Sequence, residues 1–313
     1  MSLIKYNSKS KIKPFGFRNM GVTCYFNSLI QSLLSCTSFV DVLYNDKKKY
    51  MNHPITNLFI QTIDMVNSGN TTGIEEMSPK IWSTMIAVLS KLGKTDMLGI
   101  SSGQQCSGEA FDCLMYTIDE FKDIQNLFIH RYKTVQRCFD CNEWISEVNS
   151  IENIVRVPPD LKYQQLDKFN ECIVDQINDC DNEMNKLILR QIDYVDEDRI
   201  CPLCKTKGEK LQVSCLVMAR EIIIVLAKKF SNNLTKINIY TDFPEYMSFN
   251  GKNNKKLKYK AVSQIEHAGN LNGGHYWTIS KRDDGWYILN DTSVESGEFK
   301  PTNNTYMVFY HLV

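Results

Sequence analysis

The sequence predicts an α+β protein. Helical periodicity dominates from Phe15 to about Ile129, short β-rich runs dominate from Arg131 onward, and no internal repeat relates the two parts. A chain of 313 residues can hold one large domain or two ordinary ones with an ample core. Its 36 basic and 36 acidic residues balance, which leaves no basic footprint for nucleic acid. The lysine-rich N-terminus lacks the apolar stretch of a signal peptide, and the longest aliphatic run, Ile222 to Ala227, is far too short to span a bilayer. Eleven cysteines without a secretion signal point to thiols, metal ligands or a nucleophile in a reducing compartment. The expectation is a soluble monomer of the cytoplasm or nucleus, with no nucleic-acid or membrane partner.

Residues 1–13 carry little apolar surface and read as a flexible lead-in. Leu29, Ile30, Leu33 and Leu34 recur at helical spacing after Cys24, and Thr23 is the candidate N-cap. Asn57–Val66 and Ile81–Leu89 repeat the helical pattern, the second behind the start signal Ser78-Pro79. The strand candidates are R-Y-K-T-V, W-I-S-E-V, E-I-I-I-V-L, K-I-N-I-Y and the closing T-Y-M-V-F-Y-H-L. A polar, acidic insert from about Asp160 to Asp198 interrupts them, with Met184–Ile192 as a possible helix.

Three groups of residues carry chemistry. Cys24 falls in the first turn of its helix, where the unpaired N–H groups and the helix dipole favour a thiolate. A lone cysteine there could equally be a small hydrophobe opening a buried helix, so the assignment turns on a partner base. Of five histidines, His275 stands out in G-N-L-N-G-G-H-Y-W, where Gly273 and Gly274 would let a substrate backbone approach. K-R-D-D-G then marks a hairpin before W-Y-I-L-N, which carries Asn290 back toward His275. A two-residue loop at Asp284-Gly285 would pair His275 with Val294, so a longer loop or a bulge is expected. Asp291 is the reserve orienter, although a regular strand points it to the opposite face. The third group is C-F-D-C (Cys138, Cys141) with C-P-L-C (Cys201, Cys204), four thiolates suited to tetrahedral zinc but farther apart than in compact ribbons.

Together these motifs resemble the catalytic domain of the ubiquitin-specific proteases, papain-like deubiquitinating cysteine peptidases. Gly16–Leu33 (G-F-R-N-M-G-V-T-C-Y-F-N-S-L-I-Q-S-L) is similar to the family's Cys box. Y-K-A-V-S-Q-I-E-H-A-G-N-L-N-G-G-H-Y, continuing into W-Y-I-L-N-D-T-S-V, is similar to its His box. I-I-I-V-L-A-K-K-F and F-P-E-Y-M match its palm strands and T-Y-M-V-F-Y-H-L its closing strand, so the likeness runs from about Phe15 to Val313 in the family's order. It implies a papain-like fold over 14–313, with a helical thumb (about 14–129), zinc-binding fingers (about 130–215) and a β-rich palm (about 216–313). It implies a deubiquitinase acting on ubiquitin and ubiquitinated proteins, with Cys24 as nucleophile, His275 as base, Asn290 as orienter and Asn19 as oxyanion donor. Gln105, Glu109, Gly273, Gly274 and Tyr276 would contact the substrate, and Cys138, Cys141, Cys201 and Cys204 would hold one structural zinc. Val22 departs from an asparagine common in the family. Cys106 replaces the first acid of its Q-Q-D-x-x-E-F motif, whose acids meet arginines of the ubiquitin tail. The alternatives are a catalytically weak ubiquitin-binding scaffold and a deconjugase of another ubiquitin-like modifier.

Overall fold

The computed structural model describes residues 12–98, 106–159, 190–195, 200–208, 210–230, 235–250, 256–270 and 273–313. Gln105 and most of the acidic insert lie outside them. Among the described residues, seven α-helices come first: α1 (Cys24–Leu33), α2 (Thr37–Asn45), α3 (Lys47–Tyr50), α4 (Pro54–Ser68), α5 (Met77–Lys91), α6 (Ser107–Thr117) and α7 (Lys122–Phe128). Twelve strands follow among the described residues: β1 (His130–Cys138), β2 (Trp144–Glu152), β3 (Val155–Val157), β4 (Arg190–Val195), β5 (Lys210–Met218), β6 (Ile222–Ala227), β7 (Tyr246–Asn250), β8 (Lys256–Asn270), β9 (Gly273–Lys281), β10 (Trp286–Asn290), β11 (Ser293–Gly297) and β12 (Thr305–Leu312).

Two sheets result. A four-stranded antiparallel sheet in the order β2-β1-β5-β4 carries one C-x-x-C knuckle between β1 and β2 and the other between β4 and β5. The larger sheet runs β11-β10-β9-β8-β12-β6-β3, with β7 also paired to β8. Its central strands are covered on both faces, which is why β6 reads as six consecutive apolar residues. Ile222, Ile224 and Leu226 of β6 face the helical layer, with Phe26, Leu29, Phe39, Phe59 and Phe111. Ile223 and Val225 face a second cluster containing Tyr259, Phe249 and Tyr310. Among the described residues no single helix is long and apolar enough to cross a membrane.

Every residue of α1 is buried, polar ones included, because the helix is wedged between the sheet and the other helices. Its contact with the sheet contains a knot of hydroxyls: Ser263 Oγ lies 2.8 Å from Ser32 Oγ, 2.9 Å from Thr278 Oγ1 and 2.7 Å from Ser280 Oγ. Thr278 donates onward to Gln264 O (2.9 Å) and Ser32 to Ser28 O (2.8 Å), so the donors end on backbone acceptors. α6 is docked to the same helix through Ser107 Oγ, which donates to Tyr25 O (3.0 Å), and an indole N–H from Trp82 of α5 reaches Tyr25 Oη at 2.9 Å.

Three expectations need correction. Arg190–Ile192, placed in a possible helix, opens β4 instead, because the stretch finds a ladder partner in β5 (Ile192 opposite Val213). K-I-N-I-Y is not a strand. Lys236 forms only an isolated bridge to Phe230, and Ile239 and Tyr240 of that segment are exposed. The β9–β10 hairpin has neither a long loop nor a bulge. Its two-residue turn falls at Asp283-Asp284, closed by Arg282 N–H donating to Gly285 O (2.8 Å), one residue earlier than the tight turn considered from sequence.

Candidate active site

The observed register pairs Thr278 with Leu289. Continued by one step it sets Asn290 opposite Trp277, so His275 and Asn290 share a face as diagonal neighbours. His275 Nε2 and Asn290 Oδ1 are 2.6 Å apart. An amide oxygen can only accept, so Nε2 carries the proton and Nδ1 is left as the basic nitrogen of the neutral ring. The indole of Trp277 stacks alongside, 6.1 Å between centroids.

Cys24 is the first residue of α1 and is buried. Thr23 precedes it in the N-cap position but makes no side-chain capping bond to the helix. Its hydroxyl serves the preceding turn, accepting from Met20 N–H (2.9 Å) and donating to Asn19 Oδ1 (3.3 Å). Asn19 Oδ1 also accepts from Gly21 N–H (2.9 Å) and Thr23 N–H (3.1 Å). Gly21 has a positive φ of 99°, a conformation that lets the chain reverse tightly before the helix. One amide oxygen thus gathers the whole loop behind the thiol.

Asp291 holds that loop against the hairpin. It sits in the two-residue turn between β10 and β11 at φ 50°, so its side chain leaves the direction a regular strand would give it. Oδ2 accepts from Asn19 Nδ2 (3.0 Å), Oδ1 accepts from Asn27 Nδ2 (2.8 Å), and its backbone oxygen accepts from Phe17 N–H (2.8 Å). Gly16 passes so close to this turn that a Cβ there would meet Thr292 Cα at 2.6 Å. Asn290 and Asp291 therefore divide the work: one meets the imidazole, the other the Cys loop.

Of the residues expected to contact substrate, Gln105 lies outside the described residues, while Tyr276, Glu109, Gly273 and Gly274 are described. Tyr276 is buried, and its hydroxyl is held well above its ordinary pKa, first by burial and then by the nearby Cys106, Cys24 and Glu109. Glu109 is exposed in the first turn of α6. Cys106 is the N-cap of α6, with Sγ accepting from Glu109 N–H at 3.3 Å, so the position is a helix cap and not a helix-interior packing site. Burial first, and then the charge of Glu109, push the Cys106 thiol up.

The two glycines differ. A Cβ on Gly273 would meet nothing within 4 Å, whereas one on Gly274 would meet His267 Nε2 at 2.4 Å. Gly274 is accordingly required by the ring beneath it. His267, which the sequence reading passed over, packs on Tyr276 at 4.3 Å between centroids, and burial pulls its pKa down to about 4 with help from Lys236 and His275. Asn27 was also missed; its spacing of one helical turn from Cys24 was the available signal.

On the four-stranded sheet the four knuckle sulfurs converge. Cys138 Sγ is 3.8 Å from Cys204 Sγ, Cys141 Sγ is 3.9 Å from Cys201 Sγ, and all four sulfurs lie within 4.8 Å of one another. Sulfurs at tetrahedral zinc, with bonds of about 2.3 Å, stand about 3.8 Å apart, so this donor set can hold such an ion. Thr206 Oγ1 lies 2.9 Å from Cys204 Sγ and donates to Asp140 Oδ2 (2.7 Å), which fixes the second knuckle to the first.

A family model described as ubiquitin carboxyl-terminal hydrolase matches residues 15–310. The chain belongs to this family. It is 23% identical over 328 residues to the probable ubiquitin carboxyl-terminal hydrolase 8 of Schizosaccharomyces pombe, an alignment covering 95% of this chain and 64% of that protein. It is 23% identical to human ubiquitin carboxyl-terminal hydrolase 2, over 98% of this chain and 56% of that one. The chain thus spans less than two thirds of these relatives. Its fold is similar to the SAGA Ubp8/Sgf11/Sus1/Sgf73 DUB module bound to ubiquitin aldehyde, with a TM-score of 0.70 and 14% identity over 100% of this chain and 72% of that chain. A Ubp8-substituted form of the same module, bound to monoubiquitin, gives a TM-score of 0.69 and 16% identity over 96% of this chain and 69% of that chain. The α+β architecture is that of ubiquitin carboxyl-terminal hydrolases.

Removing the carboxylate that joins the Cys loop to the hairpin has a measurable cost. Hydrogen bonds to charged groups each contribute about 1.5–3 kcal/mol. Asp291→Ala is therefore expected to lower unfolding stability in denaturant titrations by at least one such bond. It should also speed amide exchange at Gly21 and Thr23, while strands β6 and β12 stay protected. Unchanged exchange in the loop would show that Asp291 does not hold it.

Proposed function

We propose that this ubiquitin carboxyl-terminal hydrolase cleaves the isopeptide or peptide bond after the C-terminal glycine of ubiquitin through an acyl-enzyme on Cys24. The observation that carries the reading is the His275–Asn290 contact, which leaves Nδ1 as the ring's base, on a sheet that packs directly against the helix headed by Cys24. In this scheme His275 Nδ1 takes the thiol proton and the Cys24 sulfur adds to the scissile carbonyl. The oxyanion is met by the Cys24 backbone N–H and by Asn19, whose amide nitrogen has a second proton beyond the one given to Asp291. The imidazolium then protonates the departing lysine amine, and the same nitrogen activates the water that releases ubiquitin. Asn290 suffices as third member because a Cys–His pair can exist as thiolate and imidazolium before substrate arrives, so an amide is enough to hold the ring. The test is turnover of a ubiquitin C-terminal amide. Cys24→Ala should abolish it while retaining ubiquitin binding, His275→Ala should lose it too, and Asn290→Ala should be impaired less. Normal turnover by Cys24→Ala would sink the mechanism.

The knuckle cluster is assigned to one structural zinc, held by Cys138, Cys141, Cys201 and Cys204. When bound it would supply cross-linking of two distant loops and no chemistry at the thiol site. Ligation at such a site is folding energy, so Cys201→Ser should lower thermal stability, and a strong chelator should loosen the small sheet before the large one. Elemental analysis finding no zinc in freshly purified, reduced protein would refute the assignment and leave the hydrolase reading intact.

Cys106 carries the third expectation. The resemblance sets an aspartate here, facing an arginine of the ubiquitin tail. As N-cap of α6, position 106 accommodates a carboxylate that would accept the same Glu109 N–H and favour the helix dipole. Cys106→Asp should therefore tighten ubiquitin binding by about tenfold, which corresponds to roughly 1.4 kcal/mol. A double-mutant cycle against the tail arginines measures the pairing directly. Coupling near zero together with a lower melting temperature would mean that residue 106 takes no part in tail recognition.

A further inference from the structure

We propose that Arg282 is a positioning residue for the thiol site: its buried guanidinium fastens the β9–β10 turn to the C-terminal end of α1 and thereby fixes Cys24 relative to His275. The proposal rests on the thiol-hydrolase reading above, and its test includes a readout that does not require ubiquitin.

Arg282 is only 3% exposed although Asp283 and Asp284 beside it face solvent. Nη1 donates to Ser35 Oγ and to Lys281 O (3.0 Å); Nη2 donates to the side-chain oxygen of Gln31 and to Gln31 O (3.3 Å). Among the described residues no carboxylate forms an ion pair with it. Its acceptors are neutral oxygens, and three of them belong to residues at the end of α1 and just beyond. A helix C-terminus carries a partial negative charge, so a cation there is favourably placed. Burying a guanidinium without a carboxylate is nevertheless expensive, and an apolar side chain would fill the space at lower cost. The arrangement makes sense where the planar fork is needed to hold two chain segments in one geometry.

The connection continues beyond the helix. Gln31 Nε2 donates to Phe15 O (2.7 Å), and Phe17 N–H donates to Asp291 O (2.8 Å). α1 is thus tied at both ends to the two turns that bracket β10: by Arg282 at its C-terminus and by Asp291 at its N-terminus. The charges match the helix dipole at each end. The Ser32 hydroxyl contact resists sliding on the β8–β9 side, and the Arg282 fork adds the constraint that keeps the C-terminal end of the helix from tilting on the hairpin side. A rigid rod of ten residues would transmit any shift at Gln31 to Cys24. A displacement of about 1 Å at a reacting group can cost about 100-fold in rate.

The variants are Arg282→Met, which keeps the bulk and drops the fork, and Arg282→Lys, which keeps the charge without the fork. Three quantities are read on each: the rate of Cys24 alkylation by iodoacetamide, followed by mass spectrometry of its peptide; kcat and KM on a ubiquitin C-terminal amide; and the folded fraction. The expectation for Arg282→Met is Cys24 alkylation slowed about tenfold, with the buried Cys36, Cys113 and Cys215 no more reactive than before. Its kcat should fall 10- to 100-fold with KM within twofold, and Arg282→Lys should recover part of the loss. A merely structural role would instead speed alkylation of the buried cysteines and reduce activity in proportion to unfolded protein; that result overturns the proposal. Cys24 reactivity and kcat within twofold of the parent in folded Arg282→Met also overturn it. If Arg282→Met does not fold, Arg282→Lys decides by the same criteria, parental values counting against the proposal. A parent protein that does not cleave ubiquitin, yet whose Cys24 alkylation slows on Arg282→Met, would remove the hydrolase reading and leave the positioning role standing.

Discussion

Cys24 and His275 stand near opposite ends of the sequence, and the packing of α1 across β8 and β9 is what brings their elements together. Toward the C-terminal end of α1 that contact is polar. Ser32, Ser263, Thr278 and Ser280 meet there in place of a purely apolar interlock. Apolar side chains tolerate small slides at little cost, because dispersion is non-directional. Buried hydroxyls do not, since a slide leaves a donor or acceptor without a partner away from water. The knot therefore sets position as well as affinity between helix and sheet, and the remaining site features follow from it.

A division of labour between neighbouring residues emerges on the hairpin. Asn290 ends β10 and faces the imidazole, while Asp291 turns into the left-handed region and reaches the Cys loop. One carboxylate then reaches Asn19, in the loop before the nucleophile, and Asn27, one helical turn after it. Asn19 is pinned through its nitrogen by Asp291 and through its oxygen by Gly21 and Thr23, so little freedom remains in the turn behind Cys24. Preorganisation of this kind is what lets a donor contribute to a transition state without first being ordered.

Much of this was legible from sequence where the signal is local. The helix after Thr23, the alternation and turn residues around His275, and the two C-x-x-C pairs all announce themselves within a few residues. What was not legible depends on distant partners. Arg282 lies among turn residues and looks solvated; only the end of α1 makes it a buried group. Arg190–Ile192 becomes strand because β5 is there to pair with it. K-I-N-I-Y has the alternation of a strand, but Ile237 N–H donates to Lys229 O, which commits that backbone to an irregular path, and the Lys236 ammonium is drawn to His267 O. The hairpin is read from sequence as a longer loop or a bulge because a tight turn at Asp284-Gly285 misaligns Asn290, whereas composition equally allows the observed two-residue turn at Asp283-Asp284. Gly273 and Gly274 look alike in sequence, and only His267 beneath one of them separates their roles.

β12 follows every other strand in the sequence, yet it occupies an interior position of the large sheet, antiparallel to β8 on one side and to β6 on the other. During synthesis β6 and β8 leave the ribosome with edges that have no companion until Thr305–Leu312 appears. Exposed edges of that length invite pairing with other chains, so the interval is one in which a nascent polypeptide benefits from a chaperone. A chain cut short before Thr305 would leave β6 with β3 on one side and β8 with β9, β10 and β11 on the other, with no strand to join the two halves.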